Sequence, residues 1–261
     1  MLPSLSAAES RYIEKRRPTG RPQAQRAPSA AEPGLTPPAE FGGNAEWLRL
    51  LSQDLPKFIP FLTRKCGVEF RGRILEVSAG VAWFSAELSK LPRVVEVIAT
   101  DYLAETLKHQ APQVFKLLRA HEAKITRMPA DLHRLDFPDN YFDFVVCSAG
   151  LHRAVNLPQL LREARRVLKP GGQFVSIREP VCPLVRPSAS ARRKRTGLIS
   201  VHDQTPQHTA AEYREFFRRA GLAVVARRVN LASGLKYYFD EAVNGLTHAR
   251  YAFIGSKRGR A

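Results

Sequence analysis

Two apolar segments about one strand–helix unit apart constrain this chain most: Arg73-Ile-Leu-Glu-Val-Ser-Ala-Gly-Val-Ala-Trp-Phe-Ser85 and Val94-Val-Glu-Val-Ile-Ala-Thr-Asp101. The first reads as a buried strand carrying a carboxylate at Glu76, a small-residue turn, and a helix beginning near Ala82. The second is a buried strand ending in the carboxylate of Asp101. Continuous apolar runs of this length suit strands covered on both faces. Strand–helix alternation continues along the chain. Strands are predicted at 73–78, 94–100, 124–128, 142–148 and 173–178, with helices at 82–91, 103–119 and 157–168. The fold class expected is α/β, a Rossmann-like doubly wound, mostly parallel sheet with helices on both faces.

In such a sheet both acids lie at the carboxyl ends of adjacent strands, where open α/β sheets bind ligands. A dinucleotide site would need G-x-G-x-x-G, so that a pyrophosphate can approach the helix amino terminus. The corresponding positions are Ser78, Gly80 and Trp83, and Glu76 beside them would repel a pyrophosphate. A nucleoside with free ribose hydroxyls and a cationic group suits two acids better, and S-adenosyl-L-methionine is such a molecule.

Residues 1–40 are rich in Pro, Ala, Arg and Ser and cannot bury enough apolar surface to offset their ordering entropy, so a disordered, solvated basic tail is expected, including Arg11-Tyr-Ile-Glu-Lys-Arg-Arg17. Residues 41–70 are expected to form a helical cap, two short helices broken at Pro56 and Pro60. The α/β domain itself is placed at 71–261. Within it, 180–207 reads as a long loop containing Arg186 and the run Arg192–Arg195. A helix from Thr209 to Ala220 stops at Gly221, and strands follow at 222–229 and 249–255, the last expected to join the sheet antiparallel.

The formal charge of +17 makes anionic partners a real expectation, because a positive field concentrates anions. An arginine-rich surface with no partner is the plainer reading. Cys66, Cys147 and Cys182 are far apart and lack metal or disulfide spacing, which points to a reducing, cytoplasmic location. No run reaches the roughly 18 apolar residues of a membrane span, and no metal site is expected.

Four blocks in order resemble the class I S-adenosylmethionine-dependent methyltransferases, type 11 group. They are Ile74-Leu-Glu-Val-Ser-Ala-Gly80, Asp101, Ala130-Asp-Leu-His-Arg-Leu-Asp-Phe-Pro-Asp-Asn-Tyr-Phe-Asp143, and Leu161-Arg-Glu-Ala-Arg-Arg-Val-Leu-Lys-Pro-Gly-Gly172. The resemblance implies S-adenosyl-L-methionine as cofactor. It implies that Asp101 accepts from both ribose hydroxyls, that Gly80 admits close backbone approach, and that Glu76 helps hold the methionine end. It further implies that Asp131 and Leu132 lie by the adenine, and that Cys147 and Ser148 line the cleft. The family usually has glycine where this chain has Ser78 and often where it has Ala82. If the backbone there needs positive φ, serine costs about 1 kcal/mol.

Methyl transfer to an acidic nucleophile needs a base. His152 stands where the family often places a histidine after the fourth strand, and histidine suits the role. Glu179, His202 and Asp203 are further candidates. Ser148-Ala-Gly-Leu151 does not resemble the Asn-Pro-Pro-aromatic motif of many nucleic-acid and protein amino-methylators. A small-molecule, natural-product or glycan acceptor is therefore expected, methylated at oxygen or carbon. An RNA or protein methyltransferase, and a non-catalytic partner subunit of the same fold, are the alternatives.

Overall fold

The computed structural model describes residues 11–13, 48–182, 208–232 and 250–259. Its frame is one eight-stranded sheet. Strand β1 is Arg11–Tyr12, β2 Gly72–Val77, β3 Val94–Asp101, β4 Ile125–Pro129 and β5 Phe142–Ser148. Strand β6 is Leu168–Pro180, β7 Leu222–Arg228 and β8 Arg250–Lys257. The order is β1-β4-β3-β2-β5-β6-β8-β7. Pairing is parallel from β1 to β6, and β8 runs antiparallel between β6 and β7. The final strand thus joins antiparallel as expected, but it is inserted inside the sheet and leaves β7 at the edge.

Two apolar layers sandwich the sheet. Helices α1 (Phe58–Cys66), α2 (Trp83–Ser89) and α3 (Ala111–Leu118) cover one face, burying Phe61, Leu62, Phe84 and Phe115. Helices α4 (Leu157–Val167) and α5 (Ala210–Arg219) cover the other, burying Leu160, Leu161, Tyr213 and Phe217. Period-2 alternation along β2 divides its own residues between the layers, with Ile74 in the first and Leu75 and Val77 in the second.

The prolines near residue 60 do not break the chain as expected. A π turn at Leu50–Asp54 leads into a 3₁₀ turn at Leu55–Lys57 and then directly into α1. Both prolines fall in the opening turn of an element, where the missing amide has no intrahelical acceptor to satisfy. Helix α1 ends at Gly67, whose φ of 68° is the left-handed terminator glycine provides.

A second difference lies at the amino terminus. Arg11–Tyr12, expected to be solvated, pair with Thr126 and Arg127 as an edge strand. The Ile13 amide donates to Arg127 O at 2.9 Å, and the Arg127 guanidinium lies 5.7 Å from the Tyr12 ring centre. A backbone ladder and a cation–π contact hold a tripeptide that composition alone assigns to water. The remainder of 1–40, most of the 180–207 loop, His202 and Asp203 lie outside the described residues.

The site follows from the connectivity. The chain runs outward from β2 through β3 to β4, then crosses back to place β5 and β6 on the other side of β2. This reversal opens a crevice at the carboxyl ends of β2, β3 and β5, the place where doubly wound sheets take ligands.

Candidate functional site

At the end of β2 the backbone turns through three left-handed residues: Ser78 (φ 55°), Gly80 (φ 53°) and Ala82 (φ 55°). Two of these are not glycine, so the loop stores strain, on the order of 1–2 kcal/mol per residue. Two buried carboxylates hold it. Asp101 Oδ2 accepts from the Gly80 amide at 2.8 Å, and its Oδ1 accepts from the Leu103 amide at 2.9 Å. Glu76 Oε2 accepts from the Ser85 amide at 2.8 Å and from the Ser85 hydroxyl in a very short bond. Ser85 is the third residue of α2, whose own N-cap, Ala82, offers no side-chain acceptor. Glu76 therefore caps the helix from the neighbouring strand, satisfying one of its orphan amides.

The two acids differ in what remains to them. Each carboxylate oxygen has two acceptor positions, so Asp101 keeps acceptor capacity after binding two amides. Glu76 is fully buried, and its Oε1 has no hydrogen-bond partner. Burial pushes the Glu76 carboxyl up to about 8, against the lowering by Ser85, and the Asp101 charge nearby adds to the rise. Burial likewise raises Asp101 above its ordinary value, outweighing the amides of Leu103 and Gly80. A buried pair of acids with one unmet oxygen suits a cationic donor, and it does not suit a pyrophosphate, since the Gly80 amide is already taken.

The other residues expected at the cofactor site lie at or just beyond the ends of neighbouring strands. The Ala130 amide donates to Asp101 O at 3.0 Å, which brings the 130–132 loop to the end of β3. Leu132 is buried, whereas Asp131 also shapes its own turn, accepting from the His133 amide at 2.9 Å. Ser148 ends β5, next to Gly150. A Cβ at Gly150 would stand 2.5 Å from Cys147 Sγ and 2.7 Å from Ser78 Cβ, so the two strand ends pack within a glycine's clearance. Over Gly80 a Cβ would meet nothing within 4 Å, leaving open space where the backbone is bare. Trp83, standing where a dinucleotide loop has its third glycine, is buried with its ring centre 6.3 Å from Phe58 of α1.

His152 lies in the 3₁₀ turn Leu151–Arg153 that follows β5. It is 5% exposed and Glu179, at the end of β6, is 0% exposed. Glu179 Oε1 accepts from the amides of Gly150 and Leu151, each at 3.0 Å, and from Ser176 Oγ at 2.8 Å. Its Oε2 lies 3.1 Å from His152 Nδ1. Burial raises the Glu179 carboxyl, but the bonds from His152, Leu151 and Ser176 together outweigh it and hold the group below its ordinary value. An ionised carboxylate only accepts, so His152 Nδ1 carries the hydrogen and, in the neutral ring, Nε2 is the basic nitrogen.

The sequence names His152 and Glu179 separately, and their pairing across β5 and β6 carries no signal in one dimension. Ser85 was likewise missed, although a serine at N3 of a predicted helix is a recognisable donor. Arg178 was missed for a different reason. It adopts φ 62° where the β6–β8 register shifts between Ser176 and Glu179, and its Nη1 reaches Ser148 Oγ at 3.4 Å. No local motif marks such a bulge. Burial drives the Cys147 thiol well above its ordinary value, so at the cleft wall it is an inert packing group. Among the described residues no set of three or more His, Cys, Asp or Glu gathers as metal ligands, and no helix is long and apolar enough to cross a membrane.

Residues 75–176 match the methyltransferase domain family. A demethylmenaquinone methyltransferase of Mycobacterium marinum is 29% identical over 66% of this chain and 59% of its own length. A ubiquinone/menaquinone biosynthesis C-methyltransferase, UbiE, of Pseudomonas paraeruginosa is 30% identical over 51% of this chain and 50% of its own. The chain thus spans about half the length of these relatives. Among solved structures, a SAM-dependent methyltransferase from Aquifex aeolicus superposes with a TM-score of 0.54 at 19% identity, over 80% of this chain and 92% of that one. At that identity the likeness speaks for the fold.

Proposed function

Because residues 75–176 match the methyltransferase domain family, we propose that the chain transfers a methyl group from S-adenosyl-L-methionine to a carbon or oxygen atom of a small-molecule acceptor. The relatives that act in quinone biosynthesis make a hydroquinone ring the first acceptor to try. The bound cofactor supplies an electrophilic methyl group on a sulfonium centre. In this reading Glu76 holds the cofactor's ammonium group with its unmet Oε1, and Asp101 accepts from the ribose hydroxyls. The bare backbone at Gly80 lies against the ligand, with Ser78 and Ser148 lining the cleft and Asp131 and Leu132 flanking the adenine.

The observation that carries the carbon-or-oxygen reading is the buried pair His152–Glu179. A ring carbon or hydroxyl becomes a strong nucleophile only as it loses a proton. His152 Nε2 takes that proton while Glu179, accepting from Nδ1–H, stabilises the imidazolium that forms. With its proton taken up by His152, the acceptor atom would be the nucleophile toward that methyl group. Burial of both residues keeps water from competing for the proton.

The test combines calorimetry with transfer of a labelled methyl group to demethylmenaquinol. His152→Ala is expected to bind S-adenosylhomocysteine as the native protein does and to lose transfer by roughly 10²–10⁴-fold, the usual contribution of a positioned base. Native-rate transfer by His152→Ala would remove the base from the scheme. Absence of S-adenosylhomocysteine binding by the native chain would remove the cofactor.

A further inference from the structure

A second concave region lies at the end of the strands opposite to Glu76 and Asp101. Asp139, just ahead of β5, and Lys257, at the end of the antiparallel β8, mark the amino ends of the parallel strands. Between them, against the carboxyl-terminal half of α4, is a cavity of about 510 Å³ whose charged lining is Arg162, Arg165, Arg166, Lys257, Arg258 and Asp139. Its volume falls within the range of small-ligand sites.

Two of these cations have structural employment. Arg166 is held by Glu163 and Asp139 and by the carbonyls of Leu135 and Phe137. Lys257 Nζ binds Asn140 Oδ1 at 2.7 Å and the carbonyls of Leu168 and Arg166, answering the negative end of α4. Together they make a fixed floor. The other three are not explained this way. Arg162, Arg165 and Arg258 are exposed and have no carboxylate within ion-pair distance among the described residues. Arg162 bonds only the neutral Gln159 side chain, at 2.8 Å, and the Arg165 Nε touches Gly221 O at 3.3 Å. Arg162 and Arg165 stand one turn apart on α4, and Arg258 comes from the β8 side, so unpaired guanidinium groups reach one hollow from two walls.

We infer that this groove binds phosphate groups of a ligand distinct from cofactor and acceptor. Guanidinium forks match phosphate oxygens bidentately. The lining holds no aromatic ring on which a base would stack, so recognition runs through phosphate and carries no sequence preference. The chain's charge of +17 supplies the long-range field that brings such a ligand in. Phosphate of this kind comes either from a single-stranded RNA backbone or from a small phosphorylated molecule.

The test compares the native chain with the triple variant Arg162→Gln/Arg165→Gln/Arg258→Gln, using fluorescence anisotropy with a labelled single-stranded RNA and competition by inorganic pyrophosphate. Three lost phosphate contacts should reduce the salt slope by about 2, so that an about fourfold rise in salt costs the native complex roughly fifteenfold more affinity than the variant complex. RNA binding that pyrophosphate leaves in place assigns the groove to a strand, whereas displacement by pyrophosphate assigns it to a small phosphorylated molecule. Equal binding of both probes by native and variant protein, or binding of neither, overturns the inference. S-adenosylhomocysteine calorimetry on the same variant keeps this outcome separate from the cofactor reading, because the groove shares no residue with that site.

Discussion

Glu76 and Glu179 are both fully buried acids at strand ends, yet their surroundings drive them in opposite directions. Glu179 receives amides, a hydroxyl and an imidazole, while Glu76 receives one residue's amide and hydroxyl and leaves an oxygen unmet. The consequence is a pH dependence. Unfolded, Glu76 releases its proton near 4.5; folded, it keeps it to about 8. Between those values the native state binds more protons, so its stability is full below about pH 4.5 and declines as pH rises through about 8. Urea denaturation of Glu76→Gln across this window should show a shallower decline than the native protein. Parallel pH profiles would mean that Glu76 is ionised in the fold. At this scale the sequence reads well for residue type and poorly for partnership. Glu76, Gly80, Asp101 and His152 stand out from local pattern, but the bonds Glu76–Ser85 and His152–Glu179 join residues 9 and 27 positions apart.

At the scale of elements, helix α5 is legible from end to end. Thr209 accepts from the Glu212 amide while the Glu212 carboxylate accepts from the Thr209 amide, a reciprocal capping box written four residues long in the sequence. Thr209→Ala should cost about 1 kcal/mol, read as a lowered denaturation midpoint with an unchanged slope, and no loss would show that packing of Tyr213 and Phe217 alone holds the helix. Helix α2 has no such local box. Its cap comes from Glu76 on β2, so its start depends on the sheet being formed. The proline-rich entry to α1 misled for a related reason. Pro56 and Pro60 read as breaks, but a change of helical winding at Leu55 puts each in an opening turn. Leu51, Leu55 and Phe58 of this stretch are buried in the core, contacts that a reading of the prolines alone does not include.

For the whole molecule, the crevice belongs to no single element, since it joins the ends of β2, β3 and β5 across both apolar layers. A ligand seated there stabilises the sheet as a unit. S-adenosylhomocysteine at about a hundred times its dissociation constant should raise the unfolding free energy by about 2.7 kcal/mol. The same increment should vanish in Asp101→Ala, measured against that variant's own ligand-free stability because Asp101 also holds the Gly80 loop. An equal increment in both proteins would place the ligand elsewhere. The alternation of apolar runs and helical periods, the acids at strand ends and the order of the motif blocks are properties of neighbouring residues, and the sequence by itself determined the α/β class and the placing of both acids at the carboxyl ends of adjacent strands. What only the tertiary structure decided are the contacts between distant segments: Tyr12 on the β4 edge, β8 slipped inside β7, the Arg178 bulge, the His152–Glu179 pair and the arginines that meet behind α4. Each joins residues whose interaction energy exists only after the chain has closed the loop between them, and a linear pattern has no means of recording that closure.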